Sequence, residues 1–251
     1  MLIYGRRAVL EALRGGQVRR VLAARGIKAS ALAELRRASE RAGVALEEVP
    51  RIELDRALKT TSHQGVAAEL PEPQTAALED CFALAASRGE RLLLVLLDHL
   101  TDPHNVGAII RSAEALGAHG VVGESRHSAP LSAVVVKTAA GATSHLPVVQ
   151  VANVAQTILE LKERNVWVYG ADDAGALLPD QVDWDRDAAL VIGSEGEGLR
   201  RLVRERCDDT VRIPVRGRVG SLNASVAAGI LIYDVIRARN GGPGGGPTPG
   251  G

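Results

Sequence analysis

From residue 91 onward the chain alternates continuous apolar runs with helical patterns, and this alternation restricts the possible folds more than any other feature of the sequence. It begins with Leu92-Leu93-Leu94-Val95-Leu96-Leu97, followed by a helical period from Val106 to Leu116. Further strand-like runs fall at 120–123, 146–151, 166–169, 188–193 and 210–215, with helical patterns near 130–140, 153–164, 197–206 and 222–238. A strand that is apolar at every position has both faces buried, and a helix following each strand supplies the cover. The expected fold class is α/β, with a parallel-sheet domain over residues 91–240.

Residues 1–70 read as a smaller α/β unit, with helices at 5–14 and 29–42 and strands near 19–23, 44–48 and 65–69. Leu70-Pro71-Glu72-Pro73-Gln74 then opens a stretch, 71–90, expected to be a linker, because two prolines disfavour helix and ladder alike. The Gly- and Pro-rich end, 241–251, has nothing to bury and is expected to be disordered.

Formal net charge over the 251 residues is zero, but it is unevenly divided. Residues 1–70 hold 13 Lys and Arg against 8 Asp and Glu, a net of +5, and the remainder holds 17 against 22, a net of −5. Such a division suits an N-terminal unit that approaches a polyanion, although solvated helices also carry charge of this kind. No apolar run reaches membrane-spanning length, and Met1-Leu2-Ile3-Tyr4-Gly5-Arg6-Arg7 does not open a secretory signal, so a cytoplasmic protein with no membrane partner is expected. Two cysteines, Cys81 and Cys207, are too few for a disulfide framework or a zinc site.

Three segments carry the candidate chemistry, each at the C-terminal end of a predicted strand, where open α/β sheets place their ligands. In Asp98-His99-Leu100-Thr101-Asp102-Pro103-His104-Asn105, Asn105 stands near a helix start, and Arg111 follows nearly two turns later. Each also has a purely structural reading: Asn105 as an N-cap, Asp102 as a turn former, Arg111 on a solvated face. His99 and His104 with Asp98 and Asp102 match no established zinc spacing, so no metal is expected. The second segment, Gly193-Ser194-Glu195-Gly196-Glu197-Gly198, is a glycine-rich turn that lets a ligand approach the backbone. It is neither a dinucleotide fingerprint nor a nucleophile elbow. In the third, Ile213 to Ile230, a short strand leads through a small-residue loop with Ser221, Leu222 and Asn223 into a helix rich in small residues. Ser221 is also a possible N-cap.

Together and in this order, the three segments resemble the signature motifs of the SpoU (TrmH-type) branch of the SPOUT RNA methyltransferases. The N-terminal unit, with Gly5-Arg6-Arg7-Ala8-Val9-Leu10-Glu11-Ala12-Leu13 and Thr61-Ser62-His63-Gln64-Gly65-Val66-Ala67-Ala68, resembles the RNA-binding domain of the subgroup that methylates the guanosine 2′-hydroxyl of large-subunit (23S) ribosomal RNA. The resemblance implies a C-terminal trefoil knot, S-adenosylmethionine as cofactor, and a homodimer packed through the knot helices. It places cofactor contacts on Gly193, Ile213 and Leu222, and catalytic-site roles on Asn105, Arg111, Glu195, Ser221 and Asn223. Arg111 takes the central place beside the 2′-oxygen. Arg6, Arg7, Arg19 and Arg20 become candidate phosphate contacts. A transfer-RNA ribose methyltransferase and a non-catalytic ribosome-assembly factor of the same fold are the alternatives.

Overall fold

The computed structural model describes residues 1–16, 18–71, 75–126, 128–217 and 220–241. In chain order the elements are β1 (Leu2–Tyr4), α1 (Arg6–Arg14), β2 (Arg20–Ala24), α2 (Ala29–Ala42), β3 (Ala45–Val49), α3 (Arg51–Leu58), β4 (Val66–Glu69) and α4 (Leu78–Arg88). There follow β5 (Leu93–Leu97), α5 (Pro103–Leu116), β6 (Gly120–Glu124), α6 (Ala133–Thr138), β7 (Val148–Val151), α7 (Val154–Glu163), β8 (Trp167–Ala171), β9 (Ala188–Ile192), α8 (Arg201–Arg206), β10 (Asp209–Val211) and α9 (Ala224–Arg239). They divide into two units: Met1–Gln74 with Leu131–Ser144, and Thr75–Pro130 with His145–Gly251. No helix among the described residues is long and apolar enough to cross a membrane.

The first unit is a four-stranded sheet in the order β1-β4-β2-β3, with β4 antiparallel to β1 and β2 and β2 parallel to β3. Val9 and Leu13 of α1 and Leu35 of α2 bury one side of each helix against Val21, Val66 and Ala68 of the sheet. Val136 of α6 joins the same core, so a helix taken from between β6 and β7 completes this unit. Turn chemistry fixes the approach to β4. Buried His63 accepts the Gly65 N–H at Nδ1 (2.9 Å), so Nε2 carries the ring proton and donates to Asp55 (2.7 Å). Gly65 has φ +73°, and a Cβ there would collide with Ile27, so no other residue suits the position.

Two of the four arginines expected to meet phosphate are engaged with carboxylates. Arg6 Nε donates to Glu34 (2.8 Å), and Arg20 lies between Glu69 (2.6 Å) and Glu47 (3.2 Å). Arg7 and Arg19 are exposed.

The second unit is a six-stranded, all-parallel sheet in the order β10-β8-β9-β5-β6-β7. Both central strands, β5 and β9, are buried along their whole length, as their unbroken apolar sequences require. Cys81 and Ala85 of α4, Ile158 and Leu161 of α7, and Val203 of α8 form one core with sheet residues. α9 packs on α5 and β9. Chain direction along the sheet reverses between β5, which leads to β6 on one side, and β9, which leads to β10 on the other. That is the switch point at which an open α/β sheet leaves a crevice beyond its strand ends.

The structure departs from the sequence expectations in particular places. The expected linker 71–90 contains α4, which contributes to the second unit's core. Residues 131–144 belong with the first unit, not with a continuous domain over 91–240. β1 and α3 are additional elements, the helix expected at 197–206 begins at Arg201, and the strand expected at 210–215 ends at Val211. Residues 72–74 of the linker and 242–251 of the tail lie outside the described residues.

Candidate active site

The site is assembled at the carboxyl ends of β5 and β9 and at the start of α9. The Asp98 N–H donates to the Ile192 carbonyl (2.8 Å), which ties the exit of β5 to the end of β9. Beyond Ile192 the chain doubles back, with Ser194 N–H donating to Gly198 O (3.1 Å) and Gly198 N–H to Ser194 O (2.9 Å). Gly196 (φ +86°) and Gly198 (φ +67°) take the left-handed conformations this hairpin needs. A Cβ on Gly193 would collide with the Gly198 carbonyl. The three alternating glycines are therefore required by the turn, and the turn presents Glu195 at its tip.

The helix starts explain how the two asparagines reach Glu195. Asp102 caps α5 by accepting the His104 N–H (2.9 Å), so Asn105 is not the cap and is buried on the helix's first turn. Its Nδ2 donates to Glu195 Oε1 (2.9 Å). On α9 the cap is Asn223, not Ser221, with Oδ1 accepting the N–H groups of Ser225 (2.9 Å) and Val226 (3.3 Å). With that oxygen committed, the Asn223 amide nitrogen donates to Asn105 Oδ1 (3.0 Å) and to Glu195 Oε1. Two amides thus orient one carboxylate oxygen, and among the described residues Oε2 stands outside the network. Residues from three segments about 90 and 118 positions apart in sequence form one closed set of hydrogen bonds.

Beside this set lies a cavity of about 350 Å³. Gly193, Ile213 and Leu222 all line it, together with Glu195, Ser221 and the apolar side chains of Leu199 and Leu231. Its size lies in the range of small-molecule sites. Gly193 contributes to the cavity wall at the end of β9. The residues present fit an elongated, partly apolar cofactor.

Arg111 is not part of this set. Six positions beyond Asn105, it is displaced by about 9 Å along α5 and about 120° around it. It is exposed and makes no hydrogen bond or ion pair among the described residues. It lies on the side of α5 that carries Ala108 and Ser112, which with Val226, Gly229 and Tyr233 of α9 line an open groove of about 640 Å³. Val226 is 49% and Tyr233 55% exposed, on a helix that buries Ala228, Leu231, Ile232 and Val235 along its other side.

Sequence reasoning missed a buried ionic cluster that anchors the glycine-rich turn. The Arg200 backbone N–H (2.8 Å) and Nε (2.5 Å) both bind Asp98, and Nη2 binds Glu124 Oε1 (2.6 Å), which also accepts the Val154 N–H (3.0 Å). Both carboxylates are buried. His99, in a left-handed conformation (φ +57°), places Nδ1 3.5 Å from Glu124. Burial works against the charge on Arg200, yet its hydrogen bonds to Glu124 and Asp98 hold its pKa above the ordinary value. The sequence signal was an acidic residue directly at the end of an apolar run, twice: Leu97-Asp98 and Gly123-Glu124. Cys81 and Cys207 are not reactive centres, because burial pushes both thiols up to about 12.

A family profile described as the SpoU rRNA Methylase family matches residues 92–233, and one described as RNA 2'-O ribose methyltransferase substrate binding matches residues 2–76. The chain is similar to a Bacillus subtilis (strain 168) protein assigned to the TrmH family of tRNA/rRNA methyltransferases, with 41% identity over 240 residues, 95% of this chain and 96% of that one. Among solved structures it resembles the SpoU methyltransferase AviRb from Streptomyces viridochromogenes, crystallised in complex with AdoMet (TM-score 0.73, 30% identity, 95% of this chain and 90% of that one). It also resembles a crystallised RNA 2'-O ribose methyltransferase (TM-score 0.72, 27% identity, 95% and 88% of the two chains).

Proposed function

The chain belongs to the SpoU rRNA methylase family and is an RNA methyltransferase that uses S-adenosylmethionine, and on that premise we propose that it methylates the 2′-hydroxyl of a guanosine in large-subunit (23S) ribosomal RNA. The observation that carries this reading is the closed Asn105-Glu195-Asn223 set beside a cavity lined by Gly193, Ile213, Ser221 and Leu222. The separate N-terminal unit, matched by a substrate-binding profile, supports a large structured RNA as the substrate.

When bound, S-adenosylmethionine supplies a methyl group on a sulfonium centre, so the leaving group is already in place. The remaining task is to align the ribose hydroxyl and to remove its proton. We assign the first to Asn105, Ser221 and Asn223, and the second to Glu195 through Oε2, the oxygen left outside the network. Arginine stays protonated throughout the accessible pH range, so Arg111 stabilises negative charge developing on the 2′-oxygen and holds an adjacent phosphate.

Since Arg111 stands apart from this set within one chain, we place it in the site of a second chain. The open groove between α5 and α9, along which Val226 and Tyr233 are exposed, supports a homodimer through this face. We also read the chain's return from the sheet edge at β10 to α9, packed on β9 and α5, as the trefoil knot of the family.

The substrate is tested by incubating the protein and S-adenosylmethionine with unmodified large-subunit rRNA and, separately, unmodified tRNA, then locating linkages resistant to alkaline cleavage. One protected guanosine in rRNA is the expected result. Protection confined to tRNA would replace the proposed substrate, and protection in neither would favour the assembly-factor alternative.

A further inference from the structure

Two cavities of the first unit share Leu10 and Glu34 in their linings and lie side by side along α1, and together they are treated as one trough. One end is lined by Arg6, Arg7 and Lys137, the other by Arg14 of α1 with Arg37 and Arg41 of α2. Arg37 and Arg41 are four residues apart and therefore share a helix face. α1 has nine residues, which makes the trough about 13 Å long.

The trough's charge is almost wholly positive. Arg7, Arg14, Arg37 and Arg41 are exposed and have no carboxylate partner among the described residues. Glu34, the acidic side chain of the lining, is neutralised by Arg6. Interaction with helix dipoles accounts for Arg14 and Arg41, which lie in the last turns of α1 and α2. It does not account for Arg7, which sits in the first turn of α1 where a cation is disfavoured, or for Arg37. Leu10, Leu13, Ala38 and Ala42 give the trough an apolar floor between these cationic rims. The Tyr4 ring has the Lys137 ammonium over it at 4.6 Å and packs against the core cluster of Ala24, Val49, Leu54 and Ala67, so it offers a base no open stacking face.

We propose that this trough grips the sugar-phosphate backbone of the substrate RNA, phosphates on Arg7, Arg14, Arg37 and Arg41 and sugars over the partly buried Leu10 and Ala38. The inference rests on the reading of the chain as an RNA methyltransferase and adds to it the surface that holds the strand. Cationic rims, an apolar floor and no free aromatic face give backbone contact without base readout.

The test uses the full chain, a labelled oligouridylate and a salt titration. Replacing Arg14, Arg37 and Arg41 together by Gln is expected to weaken binding at least about tenfold and to reduce the slope of log affinity against log salt by about 2. The same replacement at Arg25, Arg51 and Arg56, exposed elsewhere on this unit, is expected to leave both near wild type. S-adenosylmethionine binding by the trough variant should stay at the wild-type level, which shows that the protein is folded. If the triple variant fails to fold, Arg37→Gln alone should reduce the slope by about 0.7.

Equal losses in both triple variants, or none in either, would overturn the trough as the gripping surface. Displacement of the RNA by polyglutamate as readily as by unlabelled RNA would reassign it to an acidic peptide. Failure of the wild type to bind RNA while it still binds S-adenosylmethionine would remove the RNA reading itself, a result distinguishable from the other two.

Discussion

Arg200 shows how a residue that touches no ligand can govern a site. Its guanidinium satisfies two buried carboxylates at the ends of β5 and β6, while its backbone begins immediately after the turn that carries Glu195. Removing the cation leaves Asp98 and Glu124 buried with no guanidinium against their charge, each keeping one backbone N–H donor. Arg200→Met is expected to cost about 2 to 3 kcal/mol in chemical denaturation, less than the loss of a fully buried pair because the Arg200 side chain is 35% exposed. Arg200→Lys keeps the charge but not the fork, and should recover part of the stability and little of the S-adenosylmethionine affinity. His119 yields a prediction in pH. Its ring accepts the Leu93 N–H at Nδ1 (3.0 Å) and donates to Glu90 (2.9 Å), and burial lowers its pKa below the ordinary 6.5. The unfolded chain therefore takes up a proton that the folded chain resists, so this contribution to stability is complete above about 6.5 and is lost as the pH falls below it. Denaturation of His119→Gln between neutral pH and pH about 5 should show a flatter profile than wild type. Identical profiles would remove His119 as the cause.

Among the elements, the turn after β9 leaves no room for a side chain at its first glycine. Gly193→Ala is expected to force the Ser194–Gly198 hairpin open and to abolish S-adenosylmethionine binding measured by calorimetry, with α/β circular dichroism retained. Undiminished binding would mean that the turn does not shape the cavity. This turn was legible in sequence as a glycine-rich site, but its neighbour was not. The helical pattern at 197–206 loses its first residues because Gly198 takes a left-handed conformation and Arg200 is held by Asp98. The central strands β5 and β9 of the second sheet were readable because buried parallel strands are apolar at every position. α4 was not, since the prolines at 71 and 73 drew the whole stretch into a linker, although Leu78, Cys81, Phe82 and Ala85 recur at helical spacing. β1 spans three residues and α3 buries only Leu54, so neither offers a period to detect. The Asn105, Glu195 and Asn223 positions came from motifs, but their mutual bonding depends on which residue caps each helix. Asp102 and Asn223 take those roles for reasons of local geometry that sequence left open.

For the whole molecule, sequence position and structural membership differ. Residues 131–144 lie within the stretch that reads as one sheet domain, yet Val136 is buried in the core of the other unit. A helical pattern announces a helix but not the core it joins. The charge division along the chain has a structural sequel, because part of the N-terminal excess is held in ion pairs of Arg6 and Arg20, while four other arginines border one trough. The proposed homodimer has a direct consequence. Val226→Glu combined with Tyr233→Arg should give monomers in sedimentation and should lose methyl transfer, because Arg111 would no longer reach a site. A monomeric variant with full activity would return Arg111 to its own chain or remove it from the chemistry.

The set formed by Asn105, Glu195 and Asn223 is assigned to transfer to a ribose hydroxyl and not merely to bracing the cofactor cavity. The measurement that tests it most directly is methyl transfer from radiolabelled S-adenosylmethionine to unmodified large-subunit rRNA by Glu195→Gln, with cofactor affinity determined on the same preparation. Glutamine keeps an acceptor oxygen for the two asparagine amides but cannot take a proton. Transfer reduced by about 100-fold or more, with cofactor affinity within a few-fold of wild type, is the predicted result. Transfer at the wild-type rate would contradict the account.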